Sequence, residues 1–142
     1  MKLTPELARE RFRTARVARL ATVTADGQPH LVPFTFVVDG DQILHAVDDK
    51  PKTTTALRRI ANIVENPAVC ALVDSYAEDW TSLWWARADG TATVHTDTDE
   101  IAKVGALLAA KYPQYADQYP AGPVIALTVD RWSGWSAQPI GQ

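Results

Sequence analysis

Cysteine is almost absent: Cys70 is the only one in 142 residues, so no internal disulfide framework can form. Its setting, the apolar run "PAVCALVD", predicts a small core thiol and lacks the electropositive, accessible surroundings of a reactive one. No apolar stretch approaches the roughly 20 residues a membrane helix needs, which excludes a helical membrane protein. The N-terminal "MKLTPELARERFRTARVARL" carries arginines throughout and has no apolar leader core, so a cytoplasmic location is expected. Glycine-rich phosphate signatures are missing too. Without a G-x-G-x-x-G after a strand, or a P-loop, Rossmann and NTPase functions have no basis. There is no G-x-S-x-G, and Ser75, Ser82, Ser133 and Ser136 stand beside no recognisable base. The three histidines, His30, His45 and His95, show no H-x-H or H-x-x-x-H spacing, so no metal centre is expected. No catalytic residue can be singled out.

What is present is unevenly distributed. Residues 1–59 hold ten Lys/Arg against seven Asp/Glu, a net +3, while residues 60–142 hold four against ten, a net −6. The total is −3, and a pI near 5.5 argues against nucleic acid as a partner. The length suits one domain spanning residues 1–142.

Thr4 before Pro5 is a helix-start signal, and the helix is predicted to run to about Thr14 with Leu7, Ala8 and Phe12 on its apolar side. "VARLATVTADGQPHLVPFTFVVDGDQILHAV" then alternates like a β-meander, with strands near 17–24, 29–38 and 42–47. Asp26-Gly27 and Asp39-Gly40 mark the hairpin turns. "TTTALRRIANIVENP" reads as a helix closed by Pro67, and "AVCALVD" as a short strand apolar enough to be buried on both sides. "SLWWARADGTATVHT" predicts two strand runs around Asp89-Gly90. Asp97 opens a helix over about 98–111, and "VIALTVDRWSGWSA" supplies a last strand and a tail. The fold class is therefore mainly β with flanking helices (α+β), a six- to seven-stranded antiparallel barrel, since closure removes exposed edges.

Two clusters carry chemistry. "DDKPKTTTALRR", residues 48–59, gathers Lys50, Lys52, Arg58 and Arg59 around the hydroxyls of Thr53, Thr54 and Thr55 at a helix start. Cations, hydroxyls and free N–H groups in that pattern suit a phosphate, and equally suit a solvated helix start. The second cluster is aromatic. Trp80, Trp84, Trp85, Trp132 and Trp135 are many for this length, and adjacent strand tryptophans must face opposite ways. One of Trp84 and Trp85 is thus expected in the core, with the other free to cover a planar ring or an interface.

Taken in order, "LATVTADGQPHLVPFTFVVDGDQILHAV", the basic helix start, "ENPAVCALVD" and "WARADGTATV" resemble the split β-barrel flavin and deazaflavin oxidoreductases, which include the pyridoxine-phosphate-oxidase-like proteins. "DDKPK", "EDW…LWWARADG" and "RWSGWSA" are similar to the actinobacterial branch that uses coenzyme F420, and the resemblance covers roughly residues 15 to 135. It implies a homodimer with two cofactor sites between barrels, and coenzyme F420 as the cofactor, with FMN as the alternative. It implies that phosphate rests on Lys50, Lys52, Thr53, Thr54, Arg58 and Arg59, with Lys52 and Arg59 rival positions for the main cation. It places the ring along His30, Val32, Pro33, Phe34 and Thr35. Trp80, Trp85 and Arg87 are the groups expected from the partner subunit. The implied activity is hydride transfer between F420 and a small organic substrate. An FMN-dependent oxidase or reductase and a non-catalytic F420 carrier are the alternatives, and solvent, Tyr112 or Tyr115 are the candidate proton donors.

Overall fold

The structure is a computed structural model that describes residues 1–47 and 54–138, with residues 54–57 described by their backbone alone. Seven strands form one antiparallel sheet: β1 (Ala18–Val23), β2 (Pro29–Phe34), β3 (Val37–Asp39), β4 (Gln42–Ala46), β5 (Ala68–Ser75), β6 (Trp84–His95) and β7 (Val124–Ser136). The helices are α1 (Pro5–Thr14), α2 (Thr54–Glu65) and α3 (Thr98–Lys111). None of the described helices is long and apolar enough to cross a membrane.

The ladder order is β2-β1-β5-β6-β7-β4-β3, so β2 and β3 sit at opposite ends. Yet only Thr35 and Phe36 separate them in sequence. Three Cα steps of 3.8 Å cover at most about 11 Å, so the sheet must curl until its two ends meet. The result is the antiparallel split barrel. The predicted strand over 29–38 is therefore two strands: the chain leaves β1's side at Phe34 and joins β4 at Val37.

Three further expectations change. Asp89-Gly90 is no hairpin; β6 runs through it as one strand with a register shift. Gly90 is required there by close approach, because a Cβ would lie 2.0 Å from the Thr128 carbonyl oxygen. "AVCALVD" buries one face only: Val69, Ala71 and Val73 point inward, whereas Leu72 is exposed and Cys70 is half-buried. Cys70 lies on the other, partly exposed face of β5, so it is not a core thiol. The β3–β4 turn is centred one residue later than expected, on Gly40-Asp41, with φ 61° at Gly40 alone. A positive φ at the first central position needs glycine and frees Asp39 to pair with Gln42.

The helix signals act as read. Thr4 Oγ1 accepts from Leu7 N, and Asp97 accepts from Glu100 N. Phe12 is fully buried and meets Phe36 and Trp132 edge-on, with ring centroids 6.0 and 5.5 Å apart. Trp132 spends its indole N–H on Asp41. On β4, Ile43 joins the barrel core while Leu44 packs with Val104 and Leu108 of α3, so both faces of this strand are covered.

Candidate functional site

The Thr35–Phe36 crossover is tied down through its backbone by three side chains, His45, Lys111 and Tyr112. Phe36 N donates to the Tyr112 hydroxyl at 3.1 Å, and the Phe36 carbonyl accepts from Tyr112 Oη at 3.1 Å and Lys111 Nζ at 3.0 Å. Burial, with Arg16 and Arg13 adding to it, lowers the Lys111 amine to about 8. Its ammonium lies 4.0 Å from the Phe36 ring centroid, within cation–π range. The Tyr112 hydroxyl is thus occupied by backbone, and burial raises its pKa further. It is not available as a proton donor. Tyr115 differs: its hydroxyl pairs with Thr35 Oγ1 at 2.9 Å and faces a cleft.

That cleft encloses about 560 Å³, within the usual range for a cofactor or drug-sized ligand. Pro33, Phe34 and Thr35 form one wall, His45 and Ala46 the floor, and Arg59 enters from the second turn of α2. The segment after α3 closes the far side with Tyr115, Tyr119 and Pro120. No Asp or Glu lines the cleft among the described residues.

His45 was not distinguishable from the other histidines in sequence, and it organises the floor. Its Nδ1 lies 2.7 Å from the Thr35 carbonyl oxygen, which can only accept, so the proton sits on Nδ1. Nε2 is then a lone pair, and Arg59 Nη1 donates to it at 2.8 Å. Burial first, and the Arg59 charge second, lower the imidazole to about 4, so it is neutral near pH 7. Arg59 is desolvated as well, which lowers its own pKa. Its Nε is buried with no hydrogen-bond partner among the described residues.

The residues expected at the site divide into groups. Pro33, Phe34, Thr35 and Arg59 come together in the cleft. Val32 does not: its side chain is core, because β2 alternates and Val32 faces inward with Phe34. His30 also lies in β2, half-exposed, with Nδ1 buried and unpartnered. Arg58 is exposed on α2. Lys50, Lys52 and Thr53 lie outside the described residues, as does the side chain of Thr54. Trp85 and Arg87 belong to a separate depression of about 270 Å³ with Leu72, Asp74 and Tyr76, which shares no lining residue with the cleft. Arg87 stands 5.8 Å from the Trp85 ring centroid and bonds Asp89 at 3.0 Å. Trp84 packs against the core, with Arg11 over its ring. Trp80 is 73% exposed in a short 3-10 turn.

Comparison with known proteins gives these arrangements a setting. The family model described as pyridoxamine 5'-phosphate oxidase matches residues 4–136. A conserved hypothetical protein from Mycobacterium tuberculosis superposes with a TM-score of 0.77 at 19% identity, over 99% of this chain and 89% of its own. A FAD-binding protein from Mesorhizobium loti gives 0.73 at 18% identity, over 94% of this chain and 95% of its own. A haem storage protein from Vibrio cholerae gives 0.67 at 20% identity, over 96% and 95%. At these identities the shared property is the fold. Comparison with curated proteins returned no match.

Proposed function

The chain belongs to the pyridoxamine 5'-phosphate oxidase family, and from that premise we propose that it is an oxidoreductase that holds a flavin-type cofactor in the Thr35–His45–Arg59 cleft. The observation that carries this reading is Arg59: a desolvated cation with an unpartnered buried Nε, in a cleft with no acidic side chain among the described residues lining it. A desolvated cation without a counter-charge is costly, and an anionic group in the cleft it lines offsets that cost. Among the described residues β2 ends the ladder, so its outer edge offers backbone groups beside the cleft, and Pro29 and Pro33 are tolerated on such an edge. We further propose that the cofactor is coenzyme F420, as the "DDKPK", "EDW…LWWARADG" and "RWSGWSA" blocks suggest.

Such a cofactor, when bound, supplies hydride to an electron-poor C=C or C=N bond. The protein's own residues hold and orient it. Arg59 binds the anionic end, the Pro33–Thr35 wall lies along the ring, and Phe34 and Ala46 keep that wall dry. The Thr35–Tyr115 hydroxyl pair can move a proton at the cleft wall.

The protein is proposed to work as a homodimer. Leu72, Arg87, Trp85 and Trp135 share the outward face of β5, β6 and β7 by register, and Leu72 and Trp135 are 37% and 38% exposed. Large apolar groups grouped on one sheet face suit a subunit contact.

A side-by-side titration of the apo-protein with F420, FMN and FAD tests the cofactor. Binding of F420 at micromolar Kd or tighter with little FMN retention is expected, and isolation as a yellow protein with stoichiometric FMN would sink the F420 assignment. Binding without turnover across enones, quinones and tetrapyrroles would instead identify a carrier. The two arginines separate cleanly. Arg59→Ala should weaken binding by about 1–3 kcal/mol, whereas Arg58→Ala, at an exposed site, should leave it nearly unchanged.

A further inference from the structure

Arg59 is held by a neutral partner. We propose that His45 is a charge-preserving positioning residue: it fixes the Arg59 guanidinium in the cleft without neutralising it, leaving Arg59 as the anchor for a phosphate or carboxylate anion. This rests on the cofactor reading for the identity of the ligand, and on the geometry alone for its charge.

The relay runs in one direction. The Thr35 carbonyl accepts a hydrogen bond from Nδ1–H, which obliges Nε2 to be the acceptor, and Arg59 Nη1 donates to it. Phe34 stands edge-on to the imidazole with centroids 5.3 Å apart, which locks the ring plane. Buried arginines are commonly held by carboxylates, whose charge cancels theirs. Among the described residues the ion pairs use Arg9, Arg13, Arg87 and Lys103, and none uses Arg59. Among the described residues lining the cleft with His45 are Arg59 from α2 and, across the cleft, Tyr115 and Tyr119; of these only Arg59 is charged. An imidazole acceptor therefore orients the guanidinium, and the buried Nε remains unmatched. Arg59 lines the cleft, so an anion there meets a guanidinium that keeps its charge.

The probe is inorganic pyrophosphate, with binding measured by calorimetry at pH 7.5 and the Arg59 Nε–H resonance followed by NMR. Wild type should bind and shift that resonance. His45→Gln places a neutral acceptor near the Nε2 position and should stay within about threefold of wild type. His45→Glu supplies an acceptor that quenches the charge, and should lose at least tenfold, as should Arg59→Gln. The proposal is overturned if His45→Glu binds as wild type does, if His45→Gln is as weak as Arg59→Gln, or if pyrophosphate leaves the Arg59 resonance in place. Should His45→Glu not fold, the wild-type resonance and His45→Gln decide the matter between them. If pyrophosphate behaves as expected and neither F420 nor FMN binds, the cofactor reading fails and this inference stands.

Discussion

Acidification should destabilise this protein through one buried side chain, and the loss can be worked out. His45 has an ordinary value of 6.5 and is held at about 4 in the fold, by burial first and by Arg59 second. Above pH 6.5 the imidazole is neutral in both folded and unfolded chains and contributes no pH dependence. Between 6.5 and about 4 the unfolded chain takes up a proton that the folded one refuses, so stability falls with pH. Below about 4 both are protonated and the loss levels off. At about 1.4 kcal/mol per pH unit, the gap amounts to about 3 kcal/mol, most of it gone by pH 4.5. That is a large fraction of a typical domain's stability. Urea unfolding of the apo-protein at pH 7.5, 6.5, 5.5 and 4.5 measures it, with His45→Gln as the reference that cannot titrate. Carboxylate contributions are common to both proteins and cancel in the difference. Wild type should lose its advantage over the variant steadily from pH 6.5 downward. Parallel profiles would show that His45 is neither buried nor opposed by Arg59 as described, and an imidazole titrating near 6.5 by NMR would say the same.

Other consequences follow from particular contacts. Gly90→Val should cost about 2 kcal/mol or more in chemical denaturation, because the Thr128 backbone oxygen stands where a Cβ would go and a strand cannot yield as a side chain does. Unchanged stability would place β7 farther from β6 than the register here. Tyr112→Phe strips the hydroxyl that binds Phe36 N and should cost about 1–3 kcal/mol while raising hydrogen exchange at Phe36, the amide it leaves unpaired. Leu72→Arg places a charge in the middle of the outward sheet face proposed as the subunit contact, and sedimentation should show wild type as a dimer and the variant as a monomer. A wild-type monomer at micromolar concentration would refute the dimer. Phe12→Ala, removing a side chain with no exposure that touches two aromatic rings, should cost about 3–5 kcal/mol by thermal or urea unfolding.

Much of the fold was legible because its signals are local. Thr4-Pro5 and Asp97 cap helices through bonds made within three residues, and alternation along β1 and β2 needs only a period of two. Gly90 misled because glycine serves tight turns and close backbone approach equally, and only the position of Thr128 tells which. The Trp84–Trp85 pair was readable as one inward and one outward residue, since neighbours on a strand must diverge.

The site was legible only in part. Composition and order along the chain were enough to point to an antiparallel barrel, to a basic helix start after the third of its expected strands, and to the absence of nucleotide-fold and hydrolase motifs. Which of Arg58 and Arg59 meets the cleft was decided by tertiary structure: they are adjacent in sequence, but a helix turns successive residues by about 100°, so one faces solvent and the other His45. His45 itself carries no distinguishing sequence context. Its role arises because the barrel closes at Thr35, bringing a carbonyl from the β2–β3 crossover, an imidazole from β4 and a guanidinium from α2 within hydrogen-bonding distance. Those three groups span residues 35 to 59, and no local pattern encodes that they meet, because the encounter depends on the curl of a seven-stranded sheet.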